Sequence, residues 1–306
     1  MNARNIDSIL LVDSVYSLLL YLVAVEEQEG RTVFIFSDGI PKKIRDYFDN
    51  VIYFPRGWKG LIHLLHAFMV NKPMRDMILN RMNYKKYGHD HLFFSFPFIH
   101  DFTLIEDGLS NYAISRRKFP TSLFIPNALP GSNSHVNKII LSGFKDIPKD
   151  IKHKVSLISL KECWDNRDSA FKSRVNRIFK FSQNEVENID AILFTQPLSE
   201  DGFITEMKKI DIYRDVISMF PKIRIGIKPH PREKTDYKTH FPFATVFNGT
   251  YPGELIYLNG NGINIVITLF STAIFTFSDC KKIVIGTEIY PELSEKVGLY
   301  KREYID

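Results

Sequence analysis

Between Ser8 and Phe36 the chain runs strand, helix, strand, and that order fixes most of what it can fold into. Ser8 to Val12 is a short apolar run, and Asp13-Ser14 can cap the helix that follows, Val15 to Gln28. Gly30 ends that helix, and Thr32 to Phe36 (TVFIF) is a second strand closed by Ser37-Asp38-Gly39. Such a crossover joins parallel strands, so the expected class is α/β with a parallel sheet. Val15 to Val25 is the longest apolar stretch, with Ser17 inside it. It is too short to span a bilayer, lacks a basic flank before it, and reads as a buried helix behind a strand. No G-x-G-x-x-G lies between the first strand and its helix, which disfavours a dinucleotide site.

At 306 residues, with 44% hydrophobic and 25% charged residues, the chain has room for two ordinary domains. Further strands are expected at Val51 to Phe54, Leu92 to Phe98, Phe102 to Ile105, Ser122 to Ile125 and Lys138 to Leu141. Helices are expected at Trp58 to Met69 and Pro73 to Met82. From about Asp146 to Glu187 the composition shifts to Lys, Asp, Asn and Ser, so a linker and a bridging helix (Ser169 to Phe181) are placed there. A second β-α-β series follows. Its strands are Ala191 to Thr195, Ile223 to Ile227, Phe243 to Phe247, Ile263 to Ile267 and Ile283 to Ile285, with a helix inside Ile204 to Phe220. The tail from Pro291 to Asp306 reads as helical and able to pack back across the junction. The expected architecture is two Rossmann-like domains facing a cleft, residues 1–155 and 156–306.

The net charge of +5 favours an anionic ligand or an anionic membrane surface. No block of like charge suggests a nucleic-acid groove. The two cysteines, Cys163 and Cys280, form no C-x-x-C pair and lie near no His ligand pattern, which argues against a disulfide framework and a structural zinc site. No secretory signal is read at the start, so a cytoplasmic protein is expected.

Chemistry concentrates where strands end. Ile223, Ile225 and Ile227 alternate with Arg224 and Gly226, and the run stops at Lys228-Pro229-His230-Pro231. The two prolines remove two backbone donors and stiffen the stub that carries the imidazole. A His there suits proton transfer or phosphate binding, the plain alternative being a proline-rich turn. Glu106-Asp107-Gly108 ends a strand of the first half. Two adjacent carboxylates cannot both face the core, so one is open to act as a general base unless this is an ordinary acidic turn. Glu200-Asp201-Gly202 repeats the motif after Thr195-Gln196-Pro197, and spacing does not eliminate Asp201 as the base; it is more loop-like and ranks second. Ser271-Thr272 opens a short helix whose hydroxyls and backbone N–H groups suit phosphate, or simply cap the helix. His89-Asp90-His91 on a strand puts both imidazoles on one face, but without a third ligand in context no metal site is expected.

The order E-D-G at 106–108, K-P-H-P at 228–231 and F-S-T at 270–272, spread over two α/β halves, resembles the bacterial sialyltransferases, most of all glycosyltransferase family 52. These share a (D/E)(D/E)G motif, an HP motif and a later serine motif. The chain departs in carrying Ser-Thr at 271–272 where relatives carry two serines, and in its duplicate E-D-G at 200–202. The resemblance implies the GT-B arrangement and an inverting transfer of sialic acid from CMP-sialic acid to a glycan hydroxyl, often of a terminal galactose of a surface polysaccharide or lipooligosaccharide. It implies Asp107, with Glu106 beside it, as the base and His230 as the donor to the departing phosphate. Ser271, Thr272 and Lys228 would hold that phosphate, and Gly108, Thr195, Gln196 and Pro231 complete the expected substrate-binding set. No cofactor is implied beyond the donor, because a monophosphate leaving group lacks the diphosphate that usually requires Mg²⁺ or Mn²⁺. The expected partners are donor and acceptor, with a homodimer and peripheral attachment at the inner membrane face consistent with the family.

Overall fold

The computed structural model describes residues 6–25, 29–112, 129–143, 146–182, 186, 189–260, 262–277 and 279–305. It divides into two units, one ending at Val175 and the other starting at Asn176. The first unit holds a seven-stranded parallel sheet in the order β3-β2-β1-β4-β5-β6-β7. Its strands are β1 (Ser8–Val12), β2 (Thr32–Phe36), β3 (Val51–Tyr53), β4 (Lys85–Gly88), β5 (Phe102–Ile105), β6 (Val136–Leu141) and β7 (Val155–Leu157). The opening strand-helix-strand order is as the sequence predicts, with the helix ending at Ala24 rather than Gln28: β1 and β2 are buried throughout and pair in parallel from Ser8↔Thr32 to Val12↔Phe36. The helix between them, Val15–Ala24, is capped by Ser14 and buries Leu18, Leu19, Leu20, Tyr21, Leu22 and Val23. Its burial on nearly every side explains its unbroken apolar sequence. Among the described residues no helix is long and apolar enough to cross a membrane.

The second unit repeats the scheme with β8 (Ala191–Phe194), β9 (Ile225–Lys228), β10 (Thr245–Val246), β11 (Ile265–Thr268), β12 (Lys281–Val284) and β13 (Glu303–Ile305). The order is β10-β9-β8-β11-β12-β13, all parallel except β13. Each unit has its own core, Ile9, Leu11, Val33, Ile35, Phe102 and Leu104 in the first and Leu193, Ile227, Ile267, Ile283 and Tyr213 in the second. In each sheet the winding reverses beside the first strand, between β1 and β4 and between β8 and β11. At such a reversal the loops leave in opposite directions and open a crevice at the strands' carboxyl ends.

Several expectations need correction. The division falls inside the helix Ser169–Phe179, later than 155/156. Val155–Leu157 is not linker but pairs with β6, Ile139↔Val155 to Leu141↔Leu157. The next helix, Leu160–Asp165, buries Leu160 and Trp164, and Arg167 donates to the carbonyl of Val23 at 3.0 Å. Leu92 to Phe98 is not a strand: Phe93–Phe98 forms 3₁₀ turns, burying Phe94 and Phe98 and exposing Phe96. Pro97 lacks the N–H a ladder needs, and the buried pair is spaced four apart rather than two. The strand there is Lys85–Gly88, hidden behind two lysines; Lys86 is buried, with its Nζ donating to the carbonyl of Arg81 at 3.1 Å. The tail is helical only over Pro291–Val297, after which β13 adds an antiparallel edge to β12, Ile283↔Tyr304. The expected strand Ser122 to Ile125 lies outside the described residues.

Gly88 shows how tightly β1 and β4 approach. Its φ is +129°, and a Cβ there would sit 1.9 Å from the carbonyl oxygen of Leu11. Backbone cannot yield as a side-chain tip can, so Gly88→Ala is expected to cost about 2–4 kcal/mol and several degrees of Tm. Thermal unfolding followed by circular dichroism checks this, and an unchanged Tm contradicts it.

Candidate active site

At the carboxyl edge of the first sheet, β4 and β5 release His89 and Glu106-Asp107-Gly108. His89 N–H still donates to Leu11 O at 2.9 Å, which draws the residue into the crevice, where it is buried. Its Nε2 lies 2.8 Å from Ser17 Oγ, and Ser17 gives its single hydroxyl proton to the carbonyl of Glu106 at 2.6 Å. A carbonyl can only accept, so Ser17 must accept from His89, and Nε2 carries the ring proton. The other nitrogen, Nδ1, has no hydrogen-bond partner and lies 3.8 Å from Asp107 Oδ2. His91 approaches the same oxygen, Nε2 to Oδ2 3.6 Å, and the two rings stack with centroids 5.2 Å apart. Burial would raise the Asp107 carboxyl, but His89 and His91 outweigh it and hold the group below its usual range.

The two carboxylates of this motif do different work. Glu106 is fully buried and accepts from Tyr16 Oη at 3.0 Å, Tyr112 Oη at 2.9 Å and Ser142 N–H at 2.7 Å. It ties three elements together and turns away from solvent, while Asp107 keeps about a quarter of its side chain exposed (23%). Gly108, at φ +59°, turns the chain into a 3₁₀ segment, Gly108–Tyr112, from which Asn111 Oδ1 accepts the Asp107 N–H. The sequence argument that one carboxylate must stay open therefore selects Asp107. The placement expected for the two imidazoles changes: His89 and His91 follow β4 rather than lie on it, and the fold brings Asp107 beside them. The three ligand atoms lie within 4.8 Å of one another.

At the carboxyl edge of the second sheet, β9 ends at Lys228, which is buried and gives its ammonium to the carbonyl of Pro229 at 2.9 Å, over the Tyr251 ring. Lys228 therefore points to backbone rather than outward. His230 is clamped at both ends. Its N–H donates to Glu233 Oε1 at 2.7 Å, and its Nδ1 accepts from Arg232 N–H at 3.2 Å. The neutral ring consequently carries its proton on Nε2. Pro231 occupies the turn between these two contacts. Glu233 Oε1 also accepts from Thr195 Oγ1 at 2.7 Å and Oε2 from Tyr237 Oη at 2.5 Å, so one buried carboxylate joins the ends of β8 and β9. Burial raises the Glu233 carboxyl. Sequence reasoning missed this residue; its one signal is a Glu three positions after His230, the spacing at which a carboxylate reaches back to an N–H.

The neighbouring Gln196 N–H donates to Tyr213 Oη at 2.7 Å. Asp201 is held by both guanidinium nitrogens of Arg232, Nη1 to Oδ1 and Nη2 to Oδ2 at 3.0 Å, so Arg232 links Asp201 to His230 within one unit. Glu200 pairs with the buried Lys209 at 2.8 Å. Ser271 caps a 3₁₀ segment, Thr272–Thr276, its Oγ accepting from Ala273 N–H at 3.3 Å. Its own N–H is given to Thr268 Oγ1 at 2.9 Å. The strand-end residues Thr195, Gln196, Lys228 to Pro231, Ser271 and Thr272 thus line β8 and its two neighbours, while Glu106 to Gly108 belong to the other unit. Cys163 and Cys280 are both free thiols.

Residues 87–293 match the model of glycosyltransferase family 52, a span that contains both E-D-G motifs, the K-P-H-P tetrad and Ser271-Thr272. A Haemophilus influenzae protein described as uncharacterised is 39% identical over 220 residues, 69% of this chain and 71% of that protein. Among solved structures, the GT-B domain of a Photobacterium damselae sialyltransferase superposes with a TM-score of 0.50 at 10% identity, covering 88% of each chain. A UDP-GlcNAc 2-epimerase from Methanocaldococcus jannaschii gives a TM-score of 0.49 at 11% identity, covering 98% of this chain and 95% of that one. At 10% identity the sialyltransferase likeness speaks for fold alone: the chain has the GT-B class of two Rossmann-like units.

Burial raises the Glu106 carboxyl above its ordinary range, against the pull of its hydrogen bonds to Ser142, Tyr112 and Tyr16. The folded state therefore holds this proton more tightly than the unfolded chain. That contribution is full below the unfolded value of about 4.3 and is lost as pH rises through the raised one. The stability advantage of the wild type over Glu106→Gln should be largest below about pH 4.3 and shrink toward neutrality. Tm measured against pH for both proteins checks this; an advantage that grows with pH contradicts it.

Proposed function

The chain belongs to glycosyltransferase family 52, and from that membership we propose that it is an inverting sialyltransferase, taking sialic acid from CMP-sialic acid to a glycan hydroxyl. The observation that carries this reading is the state of His230. Its Nδ1 accepts from the Arg232 N–H, so the neutral ring carries its proton on Nε2 at a strand's carboxyl end. A departing nucleoside monophosphate gains negative charge on a phosphate oxygen, and a positioned imidazole neutralises it as acid or hydrogen-bond donor. Ser271 and Thr272 add hydroxyls to the same phosphate, and Thr195 and Gln196 border the nucleotide. Lys228, turned to the Pro229 carbonyl, contributes field more than contact.

The acceptor hydroxyl must lose its proton as it attacks. Asp107 takes it: its carboxyl is held below the usual range, ionised at neutral pH, and partly open. Glu106 supports this from beneath as a strut. A second reading makes Asp201 the base, favoured by the Arg232 bridge that ties it to His230. The guanidinium engages both Asp201 oxygens and would have to release one first.

With CMP-sialic acid and a galactose-terminated acceptor, the full chain should release CMP, and UDP-sugars should give no turnover. Transfer to UDP-sugars alone would replace the donor assignment by another GT-B transferase. Asp107→Asn should lower kcat by roughly 10²-fold or more with donor binding nearly unchanged, and Asp201→Asn should be much milder. An active Asp107→Asn beside a dead Asp201→Asn reverses the base. A monophosphate leaving group needs no diphosphate-binding cation, so turnover should persist in EDTA. Complete loss on chelation, restored by Mn²⁺, contradicts this.

A further inference from the structure

We propose that His89, His91 and Asp107 form a binding site for one zinc-class divalent cation, which competes with the base function of Asp107. The site is built from atoms already placed. His89 is buried, its Nε2–H is spent on Ser17, and its Nδ1 presents a bare lone pair 3.8 Å from a carboxylate oxygen. A lone pair on a buried ring facing an anion is repulsive unless something positive sits between them. A proton alone fits poorly, since a charge-assisted N–H···O bond closes to about 2.7–2.9 Å. A tetrahedral ion with bonds of about 2.0–2.1 Å separates its ligands by about 3.3–3.4 Å. The observed 3.8 Å from His89 and 3.6 Å from His91 exceed that by a few tenths of an ångström.

The surroundings match a metal site as well. A ligating imidazole usually donates its other N–H to a fixed acceptor, which sets ring orientation; Ser17, itself anchored on the Glu106 carbonyl, does this for His89. His91 Nδ1 faces Asp90 Oδ1 at 4.0 Å, and Asp90 is in turn held by Gly131 N–H at 2.7 Å. Two imidazoles and one carboxylate select Zn²⁺, Co²⁺ or Ni²⁺; Mg²⁺ and Ca²⁺ require a mostly oxygen shell. Three protein ligands leave a tetrahedral ion one further position, for water or hydroxyl. The bound ion holds the Asp107 lone pair that deprotonation needs, so transfer runs without metal and is inhibited by zinc. This consequence rests on Asp107 being the base; the binding itself does not.

The test uses the untagged full chain, stripped with EDTA, dialysed, and titrated with Zn²⁺ and Co²⁺ by calorimetry and visible absorption, with no donor present. One ion per chain is expected, with four-coordinate Co²⁺ bands that Zn²⁺ displaces. Asp107→Asn, His91→Ala and the outer-shell change Ser17→Ala should each weaken binding by about 10–100-fold. His91 is partly exposed, so His91→Ala should keep the wild-type circular dichroism spectrum and remains informative if buried His89 variants do not fold. No stoichiometric binding, or binding untouched by both Asp107→Asn and His91→Ala, overturns the proposal. Zinc binding at the trio in a chain that ignores CMP-sialic acid overturns the donor assignment alone. Zinc binding without inhibition of an active transferase overturns the competition.

Discussion

The parallel ladder that joins each unit's first strand to neighbours on both sides is the constraint from which the rest follows. In the first sheet β1 pairs with β2 on one side and β4 on the other; in the second, β8 pairs with β9 and β11. Parallel pairing sends every carboxyl end to one edge, and the reversal of winding beside β1 and β8 opens that edge. His89 and Asp107 on one unit, and His230 and Ser271 on the other, reach their positions because each lies within three residues of the carboxyl end of a sheet strand. Backbone contact enforces this closely: Gly88 is required because Leu11 O occupies the place of a side chain, and Gly39 likewise faces Asp13 O.

Around each edge, a buried carboxylate acts as the strut beside a second polar residue, Asp107 in the first unit and His230 in the second. Glu106 gathers Tyr16, Tyr112 and Ser142; Glu233 gathers Thr195, His230 and Tyr237. A buried donor left without its acceptor costs about 1–3 kcal/mol, so each strut restrains several groups at once. Both struts pay for burial with a raised carboxyl. Asp107 is the opposite case, where two facing imidazoles overcome burial and hold the group ionised. One E-D-G motif thus contains a fully buried acid and a partly open one, separated by the alternation of side chains as the strand ends.

Imidazole tautomers carry the functional argument at both edges, and both follow from groups that can only accept or only donate. The Glu106 carbonyl forces Ser17 to accept from His89 Nε2; the Arg232 N–H forces His230 Nδ1 to accept. In the neutral rings, the first leaves His89 Nδ1 facing the Asp107 carboxylate and the second places the His230 proton on Nε2. Those outcomes suit a cation and a phosphate respectively.

The strand-helix-strand order, the parallel class, the placement of E-D-G and K-P-H-P at strand ends and the family were legible in the sequence, because they rest on period, turn chemistry and short motifs that are local. Buried charge disguised Lys86 within β4, and β7 and β13 are three-residue, partly exposed strands set in polar sequence, too short for a period to show. The first unit runs on to Val175 because the segment after 155 contributes β7 and a helix that buries Leu160 and Trp164. Only the tertiary structure could separate Glu106 from Asp107, turn Lys228 back on Pro229, and recruit Glu233. Only it could bring His89 and His91 to Asp107, because those contacts join residues from different strands whose distance along the chain carries no signal of their distance in space.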